Sequence, residues 1–272
     1  MRCPHCQSTA TTKRPDCTEL DYRRFRCRDC SRVFNERTGT LFNRLQYPTD
    51  IICVVVAWRF RYKLSLRDLA EMFLHRGITF THEAVREWEV KLAPLLSDTL
   101  RKRRHGAVGK SWYVDETYVR VQGQWQYLYR AVDRDGHLVD VRLSPTRDLA
   151  AAEAFFRSAW IVTGVTPERI TTDGHDAYPR AIRTVFGEQV THRTNRYLNN
   201  HLEQDHRAIK QRYRVTGGLN TFGTAARFCR LCDEIRAFFR PQSHRNESLT
   251  LAQRRDIHQE RCAHLMGIMV AA

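Results

Sequence analysis

SWYVDETYVRVQGQWQYLYRAVDRDGHLVDVRLS, residues 111–144, contains three runs dense in β-branched and aromatic side chains. Such runs suit a pleated, half-buried surface, and three in succession predict an antiparallel meander. The segment around Gly123 makes the first turn, and Asp135-Gly136 reads as a two-residue turn for the second. After the meander, residues 148–163 form a helical stretch opened by a capping Asp148, and RITTD at 169–173 is a short strand. A helix over 176–186, a strand over 190–193, a helix over 199–214 and an amphipathic helix over 221–239 follow, the last ending before Pro241.

The order β-β-β-α-β-α-β-α matches a ribonuclease-H-like core, so the expected fold class is α/β (α+β). Upstream, apolar residues recur at helical spacing over 50–62, 65–75 and 81–100, with Arg76-Gly77 before the last segment and Ser65 and Thr81 placed as N-caps. Three short helices with a tight turn describe a helix-turn-helix, although the same pattern also makes ordinary bundles. In the DNA-binding version, Thr81, His82, Glu83 and Arg86 at the start of the last helix meet the major groove while Val85 and Trp88 face inward. Residues 101–106 read as a basic linker. The predicted division is a zinc ribbon at 1–42, the helix-turn-helix at 43–105, the catalytic core at 106–240 and a polar C-terminal tail at 241–272.

Cys3-Pro4-His5-Cys6 and Cys27-Arg28-Asp29-Cys30 are two CxxC knuckles twenty residues apart, a spacing that lets Cys3, Cys6, Cys27 and Cys30 surround one structural Zn²⁺. A segment with so little apolar content needs such a staple, and Tyr22, Phe25 and Phe34 are placed to pack over it. Cys17 is an isolated substitute ligand. Cys229 and Cys232 also form a CxxC, but their helical neighbours Phe228, Leu231 and Ile235 make them core thiols rather than a second metal site.

The chain has 272 residues and a formal charge of +15, which calls for a polyanionic partner such as nucleic acid. Only six of its 45 basic residues are lysines. Arginine's planar fork suits phosphates and guanine edges, though a GC-rich genome would give the same bias. The longest apolar run, residues 51–58, is far short of a membrane span, and no leader opens the chain, so a cytoplasmic location is expected. Nine cysteines suit a reduced compartment.

Asp115 stands amid the first strand run, where a carboxylate is costly unless neutralised. Asp173 ends the strand before Gly174, and Glu203 sits on a following helix. Two carboxylates on neighbouring strands plus one from a helix can hold two Mg²⁺ (or Mn²⁺) about 4 Å apart, an arrangement suited to phosphodiester cleavage. Strand alternation turns Glu116 to the other face, excluding it as a further ligand unless the strand bulges. Asp133, Asp135 and Asp140 read as turn and strand-end residues, and Trp112 and Trp125 as core rather than platforms for DNA bases.

VDETYVRVQGQWQYLYRAVDRDG, ITTDGHDAYPRAI, HRTNRYLNNHLEQDHRAIKQR and GGLNTFGTA together resemble the DDE transposases of insertion-sequence family six, within the retroviral-integrase superfamily, over about residues 47–240. The resemblance implies Asp115, Asp173 and Glu203 as the acidic triad and Lys210 as a contact to transposon-end DNA. It also implies a homodimer or larger assembly that nicks terminal inverted repeats and joins their 3′-hydroxyls to target double-stranded DNA. Only 29 residues separate Asp173 from Glu203, a trimmed spacing for this family. Two other functions share these features: a zinc-ribbon regulator that keeps the core as scaffold, against which the intact triad speaks, and a nuclease that cuts without joining.

Overall fold

The computed structural model describes residues 1–195, 200–216, 218–240 and 249–271, with the backbone alone over 200–205. The N-terminal segment is a three-stranded antiparallel ribbon of β1 (Thr11–Cys17), β2 (Arg23–Cys27) and β3 (Val33–Phe34). Its apolar interior is only Cys3, Cys27 and Phe34, with Phe25 and Cys30 packed against them. The Phe25 and Phe34 rings stack 5.8 Å apart beside the cysteines, as expected. Tyr22 does something else. Its hydroxyl accepts the Thr49 N–H at 2.8 Å, tying the ribbon to the first helix, and its ring lies beneath the Arg37 guanidinium.

The helices α1 (Thr49–Arg61), α2 (Leu66–Leu74) and α3 (His82–Lys102) follow. Ser65 and Asp68 form a reciprocal capping box on α2, and the Thr81 hydroxyl accepts the Ala84 N–H at the start of α3, so orphan N–H groups at both ends are satisfied. Residues 101 and 102 are not linker: the apolar period continues through Leu100, and α3 runs on to Lys102.

The central sheet consists of β4 (Ser111–Val121), β5 (Gln124–Asp133), β6 (Leu138–Ser144), β7 (Arg169–Thr172) and β8 (Thr191–Thr194), in the order β6-β5-β4-β7-β8. The first three strands are antiparallel, while β7 runs parallel to β4 and β8 parallel to β7. With α4 (Leu149–Thr163) between β6 and β7, and α5 (Ala177–Phe186) between β7 and β8, this is the ribonuclease-H-like topology the sequence predicted. The first hairpin turns on Gln122 and Gly123, both left-handed at φ 48° and 81°, the conformation of a type I′ turn. The second has three residues between the paired Asp133 and His137, with Gly136 at φ 82°, rather than the two-residue turn expected.

Each face of the sheet carries its own core. On one, Trp112, Val114, Tyr129 and Ala131 pack beneath α4 and α5. On the other, Val119, Val121, Leu128, Val141 and Leu143 join a cluster that runs through α1, α2 and α3, Ile209 of α6 (Asn200–Val215) and the long α7 (Phe222–Phe239). The helical N-terminal segment and the sheet thus share one interior. The expected polar tail also differs: residues 251–270 form α8 (Leu251–Val270), whose Leu265 and Met269 are buried in that same cluster. No helix among the described residues is long and apolar enough to cross a membrane.

Buried ion pairs fasten α3 to this frame. Arg104 lies 2.6 Å from Glu234 on α7, and Arg101 3.2 Å from Asp140 on β6, which also accepts a hydrogen bond from Ser158. Burial pushes Glu234 up to about 7 despite Arg104 beside it. Between its ordinary range and that value the folded chain holds a proton the unfolded chain has shed, so this group's contribution to stability falls as pH rises through the interval. Arg104→Ala would strand a buried carboxylate and should cost about 3–5 kcal/mol. Denaturant unfolding at pH 7.5 checks this, with an Arg104→Met/Glu234→Leu double variant recovering most of the loss; equal losses in both would place the effect elsewhere.

Candidate active site and metal centres

Strand register brings the first two acids together. Tyr113 pairs with Thr171 across the parallel β4–β7 ladder, so two residues further on Asp115 and Asp173 are neighbours at the lip of the sheet. Oxygens of Asp115, Glu116 and Asp173 lie within 4.8 Å of one another. The Arg147 guanidinium, from the β6–α4 connection, bridges Asp173 at 3.1 Å and Glu116. Glu116 does lie on the α4/α5 face, where it accepts a hydrogen bond from the Tyr178 hydroxyl, but its carboxylate still reaches the cluster. Alternation sets the face, while the length of the side chain lets it reach round the strand; the sequence reading that excluded it used only the first. Arg147 went unnoticed in the sequence, and its position three residues after the strand end, just before a helix cap, is a weak signal.

Burial, then the charges of Glu116 and Asp173, push Asp115 up to about 7. A divalent cation must displace that proton. Its affinity, read by calorimetry, should therefore rise by up to about tenfold per unit between roughly pH 5.5 and 7 and level off above about pH 8. An affinity independent of pH would show that Asp115 is not a ligand.

Glu203 lies on α6, and its side chain is outside the described residues. His206, three residues later, is buried with Nδ1 3.8 Å from Asp115, so α6 passes over the acidic cluster at that turn. The motif that contains Glu203 also contains this histidine, which the sequence reading passed over. Lys210 is exposed, one turn further along. Asp205, a second acid two residues after Glu203 on the same helix, also has its side chain outside the described residues.

Asp133 and Asp135 behave as expected of strand-end and turn residues, whereas Asp140 lies within β6 and not at its end. Asp133 accepts N–H groups from Gly109, Asp135 and His137, and its oxygens are occupied even though Asp133, Asp135 and His137 cluster closely enough to suggest a metal. Asp140 is fully buried among Arg101, Arg104 and Ser158. Trp112 is core, but Trp125 is 59% exposed, contrary to expectation.

Cys3, Cys6, Cys27 and Cys30 converge, with Cys3–Cys30 sulfurs 3.6 Å and Cys6–Cys27 sulfurs 3.5 Å apart. Thiolates 2.3 Å from a tetrahedral zinc are about 3.8 Å from each other, so the cluster fits a zinc ribbon. The Cys30 N–H, first among several donors aimed at its sulfur, draws Cys27 down to about 7, favouring the ligating thiolate. Cys17 is outside the group, and Cys229 and Cys232 are buried in α7, as read from the sequence. On α3, Val85 and Trp88 are buried and Arg86 is exposed, paired with Glu83 at 2.8 Å.

Residues 109–242 match a family model described as a DDE domain. The chain is 37% identical over 184 residues, 66% of its length and 81% of the relative, to the Staphylococcus aureus transposase for insertion sequence-like element IS431mec. The same figures hold for the Staphylococcus aureus transposase for insertion sequence element IS257 in transposon Tn4003. Among solved structures, the HTLV-2 integrase catalytic core in complex with magnesium is 20% identical, covering 39% of this chain and 70% of that one at a TM-score of 0.33. The relatives and the matched domain together place it: the chain belongs to the DDE transposases of insertion-sequence family six, enzymes of DNA transposition.

Proposed function

We propose that this transposase nicks each end of its element to free a 3′-hydroxyl and joins that hydroxyl to target DNA, with Asp115, Asp173 and Glu203 as the metal-holding triad. The observation that carries the reading is the convergence of Asp115 and Asp173 at the lip of two parallel strands, beneath the turn of α6 that precedes Lys210. Two divalent cations bound there, Mg²⁺ or Mn²⁺, would activate the attacking water or 3′-hydroxyl and stabilise the leaving oxygen. Glu203 sits three residues before His206, the helical spacing of one face, which supports its part in the same site. Arg147 balances part of the acidic charge of Glu116 and Asp173, and Lys210 contacts transposon-end DNA from the exposed side of α6.

Recognition of the ends falls to the N-terminal half in this reading. Thr81, His82 and Arg86 open α3 toward the major groove. The Arg86–Glu83 pair is exposed and weak, so exchanging it for a phosphate costs little. Zinc on Cys3, Cys6, Cys27 and Cys30 would hold the ribbon in shape. The chain would act as a homodimer or larger assembly, because two ends must be held together.

Incubating the full-length protein with DNA from the flanks of its reading frame and Mg²⁺ tests the proposal. Joined products are expected. Cut DNA without joining would make it a nuclease, and DNA bound but uncut would make it a regulator that keeps the fold.

A further inference from the structure

The face of β4 and β5 that bears Glu116 is covered by α4 and α5 as far as Glu116 and Tyr129, with Tyr127 packed partly against the same core. Beyond them the cross-strand pairs Tyr118–Tyr127 and Arg120–Trp125 continue toward the hairpin tip. Tyr118 is 44% exposed and Trp125 59%. Their rings form a continuous ladder, with centroids 5.3 Å apart for Tyr118–Tyr127 and 6.3 Å for Tyr118–Trp125, and the Arg120 guanidinium lies 5.7 Å from the Trp125 ring.

This strip is rigid. Arg120 Nε donates to the Gly123 carbonyl at 2.9 Å, the Gln122 N–H donates to the Leu219 carbonyl at 3.1 Å, and the Tyr213 hydroxyl donates to the Arg120 carbonyl at 2.7 Å. On its reverse, Val119, Val121 and Leu128 are buried. The hairpin therefore stands firm while presenting large aromatic rings to water, a contiguous exposed patch of the kind that marks a contact surface. Four residues of strand, about 14 Å, separate Glu116 from Arg120, the length of about four stacked bases.

From this continuity with the acidic cluster and the +15 charge of the chain, we propose that Tyr118, Tyr127, Trp125 and Arg120 form a stacking platform for unpaired bases of a DNA strand whose phosphate is delivered to the carboxylates. The inference rests on the transposase reading above and assigns the strand's bases a place on this chain. Aromatic faces accept any base, so the platform is indifferent to sequence and distinguishes single-stranded from fully paired DNA.

Fluorescence anisotropy of the full-length protein with labelled single-stranded oligo(dT) and with a mixed-sequence duplex, without added divalent cation, tests it. Trp125→Ala should weaken oligo(dT) binding by about 5- to 150-fold, the equivalent of about 1–3 kcal/mol for one stacked base. Duplex binding should move by less than about twofold, Trp125→Phe should restore most of the single-strand affinity, and Trp160→Ala, at another exposed tryptophan on α4, should bind like the parent. Parent-like oligo(dT) binding by folded Trp125→Ala overturns the platform alone. So does an equal loss on both DNAs, or a loss of self-association in light scattering with single-strand binding intact, which would make the strip a contact between copies. If the parent binds neither DNA, the transposase reading fails along with it.

Discussion

Asp173→Asn protein is expected to fold, to hold terminal DNA with parent-like affinity, and to lose nicking and joining by about a thousandfold or more. The magnitude follows from what bound cations contribute at a phosphodiester centre, several kcal/mol of transition-state charge stabilisation, at tenfold in rate per 1.36 kcal/mol. A neutral amide cannot supply the charge that a pair of divalent cations requires. The structure adds a control on folding. Asp173 is one of the charges that push Asp115 up, so its removal should leave metal-free protein at pH 8 at least as resistant to heat as the parent. Activity lost together with thermal stability would point to collapse instead. Glu203→Gln should match it in joining assays while Asp205→Asn loses far less; a Glu203→Gln protein that joins ends at the parent rate would move the third acid elsewhere, with Asp205 the first replacement to test.

The second large effect lies at the other end of the chain. Cys27→Ser, or zinc removal with a chelator, should release about one zinc per chain and leave residues 1–40 open to protease while the helices and sheet stay folded. The ribbon's interior is two cysteines and one phenylalanine, with Phe25 and Cys30 beside them, too little apolar surface to order some forty residues. Structural zinc supplies on the order of 10–16 kcal/mol in small domains, so without it this segment has nothing comparable to fold it. Metal analysis of protein purified without chelators and limited proteolysis check both halves. Tyr22 on Thr49 is the seam along which damage could spread to α1. A protected ribbon in zinc-free protein would refute the assignment.

Much of this architecture was legible because local signals were strong. The meander runs at 111–144, the caps at Ser65, Thr81 and Asp148, and the paired CxxC knuckles each carry their structure within a few residues. What could not be read was set by distance in sequence. Arg101 and Arg104 looked like a linker because the groups that bury them, Asp140 and Glu234, come about 40 and 130 residues later. Residues 251–270 looked like a solvated tail because the first half of α8 is mostly polar, and Cys262, Leu265, Met266, Ile268 and Met269 in its second half mark the side that meets the core. Trp125 was expected inside because tryptophan is usually covered. No sequence pattern states how far across the sheet α4 and α5 reach. The Arg147 bridge needed the three-dimensional meeting of a loop with two strands.

Residues near both ends of the chain complete one interior, α1 and α3 from the first hundred positions and α8 from the last. A ribosome adds about 5–20 residues per second, so α1 and α3 emerge roughly 10–40 seconds before the segment that closes over them. During that interval their apolar faces lack a lasting cover, and a chain broken off before α8 should be a substrate for proteases rather than a competing DNA binder. The catalytic sheet and the helices that precede it are thereby made to appear together or not at all.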